Sequence, residues 1–206
     1  MSMVSNSSSL EQRVALDICA SPQDIASLVP SKGLKMFRQA AQQQQALVEI
    51  ATDTSCCVSI ARCGGDMVGY AAFHHPSDVE TWGDDKTGAL IELGAIEVDP
   101  DYRGQDLAKR LLSESFAGGR FDDTIVIATM YVWHYDLKGN ALSDFQYKRL
   151  LDRLYRSIGM EPYRTTDPEI RSNAANQLMA RIGPNCPQAV RDEFDRLRSQ
   201  KHAFCM

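Results

Sequence analysis

The sequence predicts an α/β (α+β) fold, a mixed central sheet flanked by helices with an extra helix at the C-terminus. Three observations predict it. Strand-like apolar runs alternate with helix-period segments from residue 58 onward. The run Ala89–Val98 is almost continuously apolar, as a strand covered on both faces must be. A last amphipathic segment follows Pro187. The 206-residue chain, 44% hydrophobic and 24% charged, is long enough for one domain with a sizeable core. Residues 1–13, rich in serine, read as a disordered tail ahead of a single domain over 14–206.

Taken in order, Val14–Cys19 predicts a first strand, and Pro22–Gln45 a loop and a helix. Val58–Arg62 and Met67–Phe73 read as a hairpin around the Gly-rich turn Cys63-Gly64-Gly65-Asp66. His74-His75-Pro76 ends its second strand, and Asp78–Gly88 reads as an exposed loop. Pro100 closes the apolar strand because it has no N–H to donate. Leu107, Leu111, Leu112 and Phe116 mark one face of a helix that stops at Gly118-Gly119. Thr124–Met130 is a second central strand. Ser143-Asp144-Phe145-Gln146 fits a capping box, opening a helix whose apolar side carries Tyr147, Leu150, Leu151, Leu154 and Ile158, with Gly159 at its end. Glu161–Arg164 and Gln177–Ile182 are short strands, and Val190, Phe194 and Leu197 set the face of the final helix, from about residue 187.

A net charge of -5 argues against nucleic-acid or anionic-membrane binding. Residues 71–100 set Asp78, Glu80, Asp84, Asp85, Glu92, Glu97 and Asp99 against Lys86 alone, which suits a solvated face or a cationic acceptor such as lysine. The start, MSMVSNSSS, has no secretory pattern, and no apolar run approaches the ~18 residues of a membrane span. Six cysteines without a CxxC pair then read as reduced thiols of a cytoplasmic protein. None lies between Cys63 and Cys186, which disfavours a cysteine nucleophile, and four scattered histidines without ligand spacing predict no metal.

The stretch Val98–Ala108 carries the most chemistry. A buried strand ends, a Gly-containing turn follows and a helix begins, so free N–H groups and the helix dipole favour an anion there. Arg103 adds a permanent cation. From the residues alone this is a phosphate site or a structural turn with a surface arginine. The segment resembles motif A of the GNAT acetyltransferases, V-x-P-x-x-R-G-x-G-x-G/A, matching at Val98, Pro100, Arg103, Gly104 and Ala108, with Asp106 in place of the middle glycine. Its carboxylate either repels pyrophosphate or turns away and caps the helix, and capping is the expectation because the rest of the motif is intact. Leu154-Tyr155-Arg156-Ser157-Ile158-Gly159-Met160 resembles the L-Y-x-x-x-G-F signature that ends the last core helix of the same superfamily. A narrower resemblance, to the acetoin-utilisation family AcuA, covers roughly residue 37 to the C-terminus. It rests on Leu90–Glu97, Trp133-His134-Tyr135-Asp136-Leu137-Lys138-Gly139, Asp167-Pro168-Glu169-Ile170 and Phe194–Arg198.

The resemblance implies acetyl-CoA as co-substrate, its pyrophosphate on the backbone of Arg103, Gly104, Gln105, Asp106, Leu107 and Ala108. It also implies a thioester carbonyl held by backbone N–H groups around Ile96, Glu97 and Val98, on a strand splayed from Thr124–Met130 so that pantetheine can enter. Tyr155 would protonate the departing thiolate. Where the superfamily often has an asparagine on that helix, this chain has Lys148. The base commonly comes from the strand before motif A, which favours Glu92, with Glu97 as the alternative. Five residues apart, the two are expected on opposite faces of a regular strand, unless a bulge intervenes. His134 is either packed or a group that orients the acceptor or serves as a further base. Trp133, His134 and Asp136 are candidate substrate-binding residues. The narrower family implies that the acceptor is a lysine of an AMP-forming acetyl-CoA synthetase. A small amine, or a non-catalytic acyl-CoA sensor, are the other functions the residues allow.

Overall fold

In the computed structural model, which describes residues 13–200, the chain runs through strand β1 (Ala15–Asp17), helix α1 (Pro22–Ser27), β2 (Val29–Pro30), α2 (Ala40–Ala51), β3 (Cys57–Cys63), β4 (Asp66–His74), β5 (Leu90–Val98), α3 (Leu107–Phe116), β6 (Ile125–Met130), α4 (Leu137–Asn140), α5 (Asp144–Arg156), β7 (Glu161–Tyr163), α6 (Pro168–Arg171), β8 (Gln177–Ile182) and α7 (Gln188–Arg198). The expected tail lies, but for Arg13, outside the described residues. The strands form one sheet in the order β1-β3-β4-β5-β6-β8-β7, with β2 beside β4. Pairing is antiparallel except at β5–β6 and β2–β4. This is the mixed, helix-flanked sheet the sequence predicts.

Helices cover both faces because both faces are apolar. On one, α3 and α5 bury Leu107, Leu111, Leu112 and Tyr155 against Val68, Phe73, Ile91, Leu93 and Met130. On the other, α1 and α2 bring Ile25 and Leu47 onto Ile60, Tyr70 and Ala72, while α7 lays Val190, Phe194 and Leu197 over Leu90, Ile127 and Leu178. At ~1.5–3 kcal/mol for each large apolar side chain removed from water, these layers hold the sheet rigidly enough to position a site. The Ser143 hydroxyl accepts from Gln146 N–H and the Gln146 side chain accepts from Ser143 N–H, the reciprocal cap that starts α5.

Five expectations are corrected. Cys19 and Cys57 are joined in a disulfide rather than reduced: β1 pairs with β3, and the chain turn after β1 brings the two Cα atoms to 4.6 Å. Asp78–Gly88 is not simply an exposed loop, since it tucks Trp82 against Phe194 with ring centroids 6.2 Å apart. Leu150 sits on the solvent side of α5, 38% exposed. The fourth and fifth, the relation of Glu92 to Glu97 and the role of the Asp106 carboxylate, belong to the site.

Candidate active site

Strands β5 and β6 pair only over Leu90↔Ile125, Ile91↔Val126 and Glu92↔Ile127. Beyond that point they separate. The gap is a slot bordered by Leu93–Ile96 on one side and Thr129–Tyr131 on the other, with Tyr147, Leu151 and Tyr155 from α5 along it. Of the backbone segment expected to hold a carbonyl, Ile96 borders the slot, whereas Glu97 turns away and the Val98 carbonyl accepts from Arg103 Nε at 3.2 Å. The slot meets a cleft of about 710 Å³, lined among others by Arg38, Glu49, Asp53, His74 and His75. Phe37, Gly94, Ala95 and His134 border both.

Glu92 and Glu97 share a face. Antiparallel partners put their side chains on the same side, and here His74 lies opposite Glu92 and Tyr70 opposite Glu97. His74 and Tyr70 are four residues apart, hence on one side of β4. The pairing passes from Ala72↔Ala95 to Phe73↔Leu93, so Gly94 is an extra residue that reverses the alternation. Their environments differ. The Glu97 carboxylate accepts from Lys35 N (2.7 Å), Met36 N (2.8 Å) and Tyr70 Oη (2.7 Å), which anchors the segment ahead of α2 to the sheet. Glu92, also buried, accepts from Thr129 Oγ1 at 2.8 Å, across the point where the strands part.

Tyr155 is buried at the inner side of the slot. Burial first, then the nearby Tyr147, Tyr135 and Glu92, push its hydroxyl well above the ordinary tyrosine range, so it keeps its proton at neutral pH. Lys148 instead points to the loop before β8, donating to Ala174 O at 2.9 Å, with its pKa lowered by burial.

At the turn after β5, Gly104 takes φ 81° and Asp106 φ 54°. Asp106 occupies the N-cap position of α3 with no side-chain cap hydrogen bond, which corrects the expected role of its carboxylate. The left-handed backbone explains a glycine-like position, and aspartate is among the few residues that tolerate it. The Arg110 N–H bonds to Asp106 O, so the N–H groups of Leu107, Ala108 and Lys109 precede the first intrahelical bond, as an anion site needs. Arg103 is not a lone cation: its Nη2 meets Asp136 Oδ2 at 3.1 Å. Asp136 also accepts from Gly139 N at 2.9 Å, capping α4.

Trp133 is 55% exposed and stacked on Tyr131, centroids 4.5 Å apart. His134 is flanked edge-on by Phe37, Tyr131 and Trp133, and burial lowers its pKa. Among the described residues one trio brings metal-ligand atoms within 4.8 Å of one another, Asp53, Cys56 and His75 on the cleft rim. The Ser55 hydroxyl already bonds both Asp53 Oδ1 (2.5 Å) and His75 Nε2 (2.8 Å) there. The sequence reading missed His74, Phe37 and Thr129. Their signal lies in strand register, since His74 reaches the site only by standing opposite Glu92.

This chain is similar to known proteins over most of its length. The model of the Acetyltransferase (GNAT) family matches residues 25–120. The acetoin utilization protein AcuA of Bacillus subtilis (strain 168) is 42% identical over 178 residues, 86% of this chain and 85% of that protein. The protein of the same name from Bacillus licheniformis is 39% identical over the same shares. Among solved structures, an acetoin utilization protein from Exiguobacterium sibiricum 255-15 superposes with a TM-score of 0.88 at 39% identity, covering 91% of this chain and 89% of that one.

Proposed function

The chain belongs to the AcuA family of GNAT N-acetyltransferases, and from that premise we propose that it transfers the acetyl group of acetyl-CoA to a lysine of an AMP-forming acetyl-CoA synthetase, so controlling that enzyme. The observation that carries the reading is the parting of β5 and β6 after Glu92↔Ile127, with Tyr155 inside the slot and an open cleft at its mouth. A thioester lying in that slot has one reactive face toward the cleft.

The turn Arg103–Ala108 supplies N–H groups at the start of α3 for the pyrophosphate, and Arg103, held against Asp136, sets a guanidinium beside them. Backbone N–H groups near Ile96 polarise the thioester carbonyl. Glu92 is the base for the amine that attacks. Its competitor Glu97 is engaged by three donors that hold a structural segment, and this supports Glu92. Tyr155 gives its proton to the thiolate as the C–S bond breaks. Trp133, exposed beside the mouth, offers a protein acceptor an aromatic anchor. With acetyl-CoA as co-substrate and such an acceptor, we take the enzyme to act in the cytoplasm.

The test is an acceptor screen. The enzyme is incubated with acetyl-CoA and either acetyl-CoA synthetase or a polyamine, while thiol release and acetylated products are followed by mass spectrometry. Acetylated lysines on the synthetase, with altered synthetase activity, are expected. Turnover of the polyamine alone makes this a small-amine acetyltransferase, and binding of acetyl-CoA without thiol release makes it a sensor.

A further inference from the structure

His74 has no part in the chemistry above, yet its imidazole lines the cleft into which the slot opens. β4 sets it opposite Glu92, on the face that opens into the cleft. Its Nδ1 lies 2.7 Å from the carbonyl of His75. A carbonyl only accepts, so Nδ1 carries the hydrogen, and in the neutral ring Nε2 is the nitrogen with the free lone pair. That Nε2 lies over Gly94, the bulge residue bordering both slot and cleft, in the space a Cβ on residue 94 would need. The bulge and the glycine together make room for an imidazole nitrogen at the junction where an amine meets the thioester.

An amine acceptor raises a proton problem that Glu92 alone does not solve. It arrives as an ammonium with three N–H bonds and leaves as an amide with one, so two protons must be taken. Resting on the acetyl transfer proposed above, we propose that His74 takes the first of them. Nε2 accepts a proton from the ammonium in the cleft, giving a neutral amine whose lone pair forms the N–C bond to the thioester carbonyl. The second N–H proton passes to Glu92. As the C–S bond breaks, Tyr155 gives its proton to the sulfur and regains one from Glu92. His74 returns its proton to water in the cleft. Each turnover yields one amide, one thiol and one released proton. The division suits the burial, since Glu92 is enclosed and His74 borders open solvent. The charged and titratable groups around His74 are Arg38, Glu49 and Asp53 from the α2 side, Cys56 before β3, its neighbour His75, Glu92 on β5 and His134 after β6.

The proton role is read from pH–rate profiles of the native enzyme, His74→Gln and Glu92→Gln, with acetyl-CoA synthetase and, separately, spermidine as acceptors. His74→Gln should lose ~10²-fold at neutral pH and recover as the medium approaches the amine's own pKa of ~10.4. Glu92→Gln should stay slow throughout. Should His74→Gln fold poorly, His74→Ala assayed with added imidazole replaces it, and restored neutral-pH turnover is expected. A His74→Gln profile parallel to the native one, or a folded His74→Ala that imidazole leaves slow, overturns the assignment of His74 alone. Native enzyme that acetylates neither acceptor overturns the transfer reading and this one with it.

Discussion

Glu92 and Glu97, five residues apart on β5, project from the same face of the sheet because Gly94 is inserted between them as a bulge. One stands where β5 and β6 part, and the other ties down the segment ahead of α2. The separation of roles makes the pair a direct test of which carboxylate works on the acceptor. Glu92→Gln should cut kcat by about 10²–10⁴-fold with little change in acetyl-CoA affinity. Glu97→Gln should instead lower stability by about 2–3 kcal/mol, since a charge-assisted set of hydrogen bonds is weakened, and leave kcat per folded molecule much less altered. Kinetics and thermal melting on both variants distinguish these outcomes.

Arg103→Ala should weaken acetyl-CoA binding by about 1.5–3 kcal/mol in calorimetry, the scale of a charge-assisted hydrogen bond. Asp136→Asn should act in the opposite electrostatic sense. It removes the carboxylate now 3.1 Å from the guanidinium, so CoA affinity should hold or rise while the cap of α4 survives in the amide oxygen. Lost affinity in Asp136→Asn with native affinity in Arg103→Ala would contradict the pyrophosphate assignment.

Tyr155→Phe removes a hydroxyl that burial keeps protonated, without changing the shape of the slot. On the proposed role of Tyr155 as the acid that protonates the departing thiolate, we expect kcat to fall by ~10²-fold and acetyl-CoA affinity to remain. Single-turnover thiol release at fixed acetyl-CoA measures this directly.

Glu80 gives the stability a pH dependence of known sign. Burial, then the charges of Glu92, Glu169 and Asp167, raise its pKa to about 7, and its Oε2 is buried without a hydrogen-bond partner among the described residues. A carboxyl raised in the folded state favours folding while protonated. Its contribution is full below the ordinary carboxylate range and is lost as pH rises through about 7. Glu80→Gln should therefore melt higher than the native protein above that pH, with the difference vanishing in mild acid.

The fold was legible because its signals are local. Alternation, the Gly-rich turn at Gly64-Gly65 and the capping box at Ser143 act over a few residues, and β3, β4, β5, α3, α5 and α7 fall within a residue or two of their expected places. Helix α2 runs on to Ala51, past the expected end at Gln45, because no breaker stands there. What escaped needed register. The face shared by Glu92 and Glu97 depends on one bulge, the Cys19–Cys57 bond on the pairing of β1 with β3, and the place of His74 on its partner across β4–β5. The left-handed turn at Asp106 escaped for another reason: carboxylates commonly cap helices through the side chain, and here the backbone conformation is what the position demands.

Trp133 provides the test of a protein acceptor. Its ring is 55% exposed and stacks on Tyr131, whose own ring is buried among Trp82, Ile127 and Ile170. Removing Trp133 therefore uncovers one face of a packed tyrosine but deletes little of the core, and the melting temperature should change by no more than a few degrees. An exposed aromatic on a rigid base loses little conformational freedom on docking, which is why such residues dominate many interfaces. Trp133→Ala should then raise KM for acetyl-CoA synthetase by the equivalent of ~2 kcal/mol, about 30-fold, while turnover of a small amine stays near native. Equal loss toward both acceptors would place Trp133 in the shared chemistry instead, and no loss toward either would move the docking surface away from it.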